Sequence, residues 1–237
     1  MCFATLAFVA CKDKNAPEGG EGEGGEEEEY VNPISTTDQS DADWKALPQD
    51  KVASWECPQD AAYLGLKGVA VYADELYLNI LVEYDAEEII DRAWTPFHVY
   101  VNTDNSDLTG GFGDQWNDAN TDILMEGAVF ADGEPCDYAP EVFAWTGEVG
   151  GNGWSWEGLT VAGEFCTTQH LSGNRIEMQM LRELIPTPQG AGWNDSEFSI
   201  GFDIQQEWNS VGILPLVSPT DENPAGHTVK LKVKVNK

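Results

Sequence analysis

Basic residues are scarce in this chain of 237 residues: 12 Lys and Arg stand against 42 Asp and Glu, a formal net charge of -30. Nucleic acids and anionic membrane surfaces are recognised through clustered Lys and Arg, so that balance excludes both as partners. Only three His occur, His98, His170 and His227, far apart in sequence. No CxxC and no HExxH is present, which argues against a zinc site. A nucleophile elbow, a phosphate loop and a dinucleotide fingerprint are also missing. No apolar run reaches the roughly 20 residues that a membrane-spanning helix needs.

The acidic excess is partly local. Residues 1–41 hold ten Asp and Glu against two Lys, so 8 of the 30 excess charges lie there and 22 on the rest. The chain opens on an apolar segment, MCFATLAFVAC, of the length of a secretory h-region. Its FVAC ending resembles the bacterial lipobox, with Phe8 where Leu is usual, and this implies Cys11 as the lipidated residue. A buried N-terminal strand is the other reading of the segment. Residues 12–30, KDKNAPEGGEGEGGEEEEY, offer almost no apolar surface to offset their ordering entropy and are expected to be a disordered acidic tether. Acidic residues directly after the lipidated Cys resemble the export signal of outer-membrane lipoproteins, which implies display at the cell surface. A periplasm-facing lipoprotein is the alternative.

Beyond the tether the period is two. In AYLGLKGVAVYADELYLNILVEYD the spacing predicts two strands joined at ADE, with Leu76, Leu78, Ile80 and Val82 on one face. Further strands are expected at FHVYVNT, DILMEGAVFA, EVFAWTG, GWSWEGL, RIEMQML, EFSIGFDIQQEW, VGILPLV and HTVKLKVKV, separated by turns such as DNSDLTGG, EVGGNG and LSGN. Short helical turns are predicted near AEEII and at LREL. The expected fold is all-β, a two-sheet antiparallel β-sandwich of jelly-roll type, forming one domain over residues 31–237.

The series DWKALP, VYADELYLNILVEYD, PFHVYVNTDNSDLTGG, FAWTG, WSWEG and RIEMQMLRELIP resembles family 9 carbohydrate-binding modules and related surface lipoproteins over residues 41–235. The resemblance implies a sandwich that binds sugar without cleaving it, often with a structural calcium. Asn102 stands where the family's turn has its first acidic residue. Calcium takes about six to eight oxygens, which a Gly-containing loop can wrap around one ion. Asn102, Asp104, Asp107, Asp118 and Asp122 are the candidate ligands; the alternative is that they cap turns.

Nine Trp are a surplus for one domain. Sugar rings stack on indole faces while polar neighbours take the hydroxyls. Trp116, with Asn117 beside it, and Trp193 stand among polar loop residues and are expected to reach a ligand. FAWTGEVGGNGWSWEG reads as a hairpin in which Trp154 and Trp156 share a face and Trp145 pairs across. Those three form either a binding platform or part of the core. Trp44 is expected to plug the domain entrance. Cys57, Cys136 and Cys166 leave three disulfide pairings open, Cys136–Cys166 among them. Glu157, Glu164 and Glu177 are the carboxylates a glycosidase would need, although solvated strand edges explain them as well. The sequence thus points to a non-catalytic surface lipoprotein that binds a polysaccharide or oligosaccharide, or to an assembly protein that docks a protein partner in a surface complex.

Overall fold

The computed structural model describes residues 30–237 except 114, 119, 137–139, 162–165, 186 and 188–190; the side chains of 159–161 are also outside it. Cys11, the tether up to residue 29 and Glu164 lie outside the described residues. Asn32–Lys237 pack as one body.

That body is all-β. Among the described residues, a short α-helix, α1 (Ala42–Ala46), and a 3₁₀ turn (Gln49–Lys51) precede thirteen strands. They are β1 (Ala53–Glu56), β2 (Leu66–Asp74), β3 (Tyr77–Tyr84), β4 (Trp94–Asn102), β5 (Ile123–Ala131), β6 (Glu134–Pro135), β7 (Glu141–Trp145), β8 (Trp156–Val161), β9 (Cys166–Leu171), β10 (Arg175–Leu181), β11 (Glu197–Gln206), β12 (Asn209–Leu214) and β13 (Leu231–Asn236). Hydrogen bonding runs β8-β7-β5-β4-β11-β13-β2-β3-β10-β9, with β1 on β2, β12 on β11 and β6 on β5. The sheet is mixed because β13 lies parallel to β2 while its pair with β11 is antiparallel.

Alternation determines which residues face inward. Leu78, Ile80 and Val82 of β3, Phe97, Val99 and Val101 of β4, and Phe198, Ile200, Phe202 and Ile204 of β11 join one core that also takes Ile176, Met178 and Met180 of β10. Each such side chain contributes about 1.5–3 kcal/mol by leaving water. Phe202 is fully buried and stacked on Phe97 at 6.4 Å, so its truncation to Ala costs about 3–5 kcal/mol.

Local signals close the turns. The Asp74 carboxylate accepts the backbone N–H of Leu76 at 2.8 Å and of Tyr77 at 2.7 Å, which starts β3 at Tyr77 and leaves Leu76 outside the strand and 40 % exposed. The expectation that Leu76 shares the buried face is corrected accordingly. At LSGN, Gly173 and Asn174 take positive φ and join β9 to β10. The AEEII segment holds turns rather than helix, with Asp85 capping the N–H of Glu87 at 2.9 Å, whereas LREL does form a 3₁₀ turn over Arg182–Leu184.

Ahead of β1, the chain crosses the outer side of β3, β10 and β9 as a strap held by side chains. Asn32 bonds Asn79, Thr36 bonds Thr167, Gln39 bonds Gln169, and Gln179 donates to the Ile34 carbonyl. Trp44 is buried with Ile34 and Tyr72. Its indole N–H is donated to the carboxylate of Glu177.

Candidate binding surface

On the other side of β4, β5, β7 and β11 lies a second apolar cluster, and the strand register explains its make-up. Tyr100 of β4 stands between Gly201 of β11 and Leu124 of β5, and Leu124 in turn faces Phe143 of β7. Trp145 is the register partner of Trp156, and their rings meet edge to face at 5.1 Å. The loop between β4 and β5 lays Phe112 against Tyr100, stacked at 5.5 Å, and Trp116 against Tyr100 at 5.4 Å. Phe112 also touches Trp154 at 5.3 Å and Trp156 at 5.9 Å.

Glycines make this packing possible. A Cβ on Gly201 would lie 2.5 Å from the Trp116 ring, and one on Gly111 would lie 2.2 Å from the Trp145 ring. No real Cβ makes such approaches, so a side chain at either position displaces an indole.

Four of the five nominated tryptophans, Trp116, Trp145, Trp154 and Trp156, therefore belong to one aromatic network. Their exposures differ. Trp116 is 2 % exposed and Trp145 6 %, which corrects the expectation that Trp116 reaches solvent. The polar residues beside it in sequence are spent on the chain near β13: Asn117 bonds the backbone of Thr228 and His227, and Asp118 holds Lys230. Trp154, at 57 % exposure, is where the network opens to water. Trp193 stands elsewhere, half-buried against the main core with Phe198 at 5.3 Å and the Arg182 guanidinium 5.0 Å over its ring.

Next to Trp154 the same strand face becomes polar. His98 sits one register row from Tyr100, with Asp203 across on β11 and Glu126 across on β5. Its Nε2 lies 2.8 Å from Glu126 and its Nδ1 3.7 Å from Asp203. Gln205 donates to Asp203 at 2.6 Å, and the His98 ring is 6.3 Å from that of Trp154. Burial alone would lower the pKa of His98, but the negative charges of Asp203 and Glu126 and the hydrogen bond to Glu126 outweigh it and raise the pKa to about 9. The imidazolium is thus charged at neutral pH, and Glu126 remains 32 % exposed at its side chain beside the open indole.

The loop carboxylates separate into two groups. Asp122 is fully buried; one oxygen accepts the N–H and hydroxyl of Thr103 at 2.7 and 3.0 Å, and the other has no partner among the described residues. The side-chain oxygen of Asn102 is likewise buried without a partner among the described residues. Asp104 accepts from Ser106 and Thr109. Burial pushes the Asp122 carboxyl up, and the Asp104 charge adds to that against the Thr103 N–H. The orphaned oxygens of Asn102 and Asp122 suit a hard cation. Asp118 does not join them, because the buried Lys230 ammonium stands 3.4 Å from its carboxylate, and Asp107 is exposed. Among the described residues, no group of three or more His, Cys, Asp and Glu is arranged to hold a metal.

Of the catalytic carboxylates considered from sequence, Glu157 is exposed, whereas Glu177 is fully buried and bonded to Trp44 and Gln169, which corrects its reading as a solvated strand edge. Cys57, Cys136 and Cys166 are all unpaired, so the candidate Cys136–Cys166 bridge is not formed. The row Asp203, His98, Glu126 left no mark in the sequence pattern, because only cross-strand register brings those three together. No protein-family model matches this chain, and no curated protein is significantly similar to it.

Proposed function

We propose that this chain is a non-catalytic, lipid-anchored surface protein that binds a glycan through the Trp154 face, in a sheet packed as two layers. The observation that carries the reading is the exposed indole of Trp154, fixed edge to face by Phe112 and flanked by the polar row of Glu126, His98 and Asp203. A preorganised aromatic plane beside hydrogen-bonding carboxylates is what a sugar ring needs, since its C–H face stacks while its hydroxyls donate. The motif order that resembles family 9 carbohydrate-binding modules supports the same class, and the lipobox-like FVAC supports an anchor at Cys11 in the outer membrane, facing the cell surface. Calcium, in this reading, is held by Asn102, Asp104 and Asp122 and stiffens the loop that carries Phe112.

Affinity electrophoresis through a panel of neutral polysaccharides tests this. One glycan is expected to retard the protein, and Trp154→Ala to abolish that retardation while still unfolding in one cooperative transition. Retardation by none of them, or retardation equal in Trp154→Ala, overturns the reading.

A second reading, an assembly protein that docks a protein partner, is favoured by a different place. Trp208 is 89 % exposed at the tip of the β11–β12 hairpin, where Glu207 and Trp208 both take positive φ. Ile90, 88 % exposed, is held at the same end by Gln206, which bonds the Ile90 N–H and the Asp91 carbonyl. Loss of partner binding in Trp208→Ala with glycan binding intact would favour it.

A further inference from the structure

The outer side of β1, β2 and β3 carries a groove of about 610 Å³, within the range of small-ligand sites. Its floor is shaped by register. Glu56 of β1, Gly68 of β2 and Glu83 of β3 stand in one row, and Arg175 of β10 is next. The Cα atoms of the two Glu are two strand spacings apart, roughly 10 Å, with no side chain between them.

The gap has room for a side chain. Gly68 follows the bulge at Lys67 in β2, and a Cβ built there would meet only the Trp55 carbonyl oxygen, at 3.6 Å, which is normal contact. Glycine is common beside a bulge, and here its lack of a side chain leaves a notch between the two carboxylates. The empty space opens outward into the groove. Next to it, a bulge at Lys67 turns that side chain to Asp85, 3.0 Å away.

Charge defines what the gap would hold. The two cations of the groove are already engaged: Lys67 with Asp85, and Arg175 with Asp41 and the Ser172 carbonyl. Glu56 and Glu83 have no ion-pair partner among the described residues. They are acceptors only, on either side of an open notch, in a protein of net charge -30. A group seated over Gly68 must donate to both, and an ammonium does so with charge assistance.

We propose that this groove is a saccharide site, separate from the Trp154 face, that takes an amino sugar with its free ammonium over Gly68 between Glu56 and Glu83. The ligand class rests on the glycan-binding reading, but the site does not share its residues. Acidic sugars are disfavoured here by the same two carboxylates.

Isothermal titration of the protein with a glucosamine hexamer, its N-acetylated counterpart and pentalysine tests the assignment. The glucosamine hexamer is expected to bind, about tenfold more weakly in Glu56→Gln or Glu83→Gln, and the acetylated hexamer at least about tenfold more weakly than the amine. Gly68→Thr is expected to abolish binding while keeping a cooperative melting transition, which shows that the variant is folded. Equal binding by Gly68→Thr overturns the proposal, since a diffuse acidic surface would then hold the amine. Equal binding of the acetylated hexamer, or no binding of either, also overturns it, and Gly68-dependent binding of pentalysine alone reassigns the groove to a peptide. Trp154→Ala, run in parallel with a neutral glycan, separates the two sites: its loss of that glycan with Gly68→Thr unaffected in every titration leaves the Trp154 reading standing and this one refuted.

Discussion

His98 Nε2 stands 2.8 Å from a carboxylate oxygen of Glu126, and the imidazole is 2 % exposed. With Asp203 on its other side, this buried ring neutralises a fully buried carboxylate. The raised pKa sets a pH dependence. A group whose pKa is about 9 when folded and near 6.5 when unfolded stabilises the fold fully below about pH 6.5, and that contribution disappears as pH rises to about 9. Denaturant midpoints measured from pH 6 to 9.5 are expected to fall across that window. In His98→Asn the slope should flatten, with a loss of about 3 kcal/mol at pH 6, because Asp203 is then buried without its counter-charge. A wild-type midpoint that stays level would refute the charged imidazole.

The strap depends on one indole N–H. Trp44→Phe keeps most of the apolar contact but leaves one oxygen of the buried Glu177 without its donor, at a cost of about 1–3 kcal/mol. Limited proteolysis is expected to cut this variant between residues 32 and 46 sooner than the wild type. Equal cleavage rates would show that the strap is held elsewhere.

Gly201→Ala places a methyl group against the Trp116 ring and is expected to destabilise the fold by about 1–3 kcal/mol in urea melts. The companion change Gly133→Ala meets nothing within 4 Å, although its positive φ carries its own strain of about 1 kcal/mol. A Gly201→Ala variant as stable as the wild type would mean that Trp116 can leave its seat.

If the orphaned oxygens of Asn102 and Asp122 take calcium, millimolar calcium added to chelated protein raises the melting temperature, by a stabilisation of about 2.7 kcal/mol at one hundred times the dissociation constant. Asp122→Asn is expected to lose most of that rise. An unchanged melting temperature in the wild type rules the ion out.

What the sequence showed follows from distance along the chain. Period-two alternation located the buried faces of Leu78, Ile80 and Val82 because each strand carries its own pattern. The Trp145–Trp156 pair was legible for a similar reason, since one hairpin contains both. Trp116 was not, because its burial depends on Gly201, 85 positions later, leaving room for the ring. The groove at Gly68 and the row through His98 were equally hidden. Each needs the register of three strands, and alternation within one strand says nothing about which strand comes next. The helix at Ala42–Ala46 escaped because five residues are too few to display a helical period.

The strap also determines how the body would answer a pull at its N-terminal end. From Asn32 to Val52 the chain adds no strand to the sheet; it is attached by scattered side-chain bonds and a buried indole. Tension applied there meets those bonds one after another, as a zipper would, before it reaches the β1–β2 ladder, where bonds share the load. Force spectroscopy should therefore record a low-force release of this segment ahead of the main rupture. A single rupture with no earlier release would show strap and sheet yielding together. The segment would act as a mechanical fuse, paying out length while the sheet stays intact.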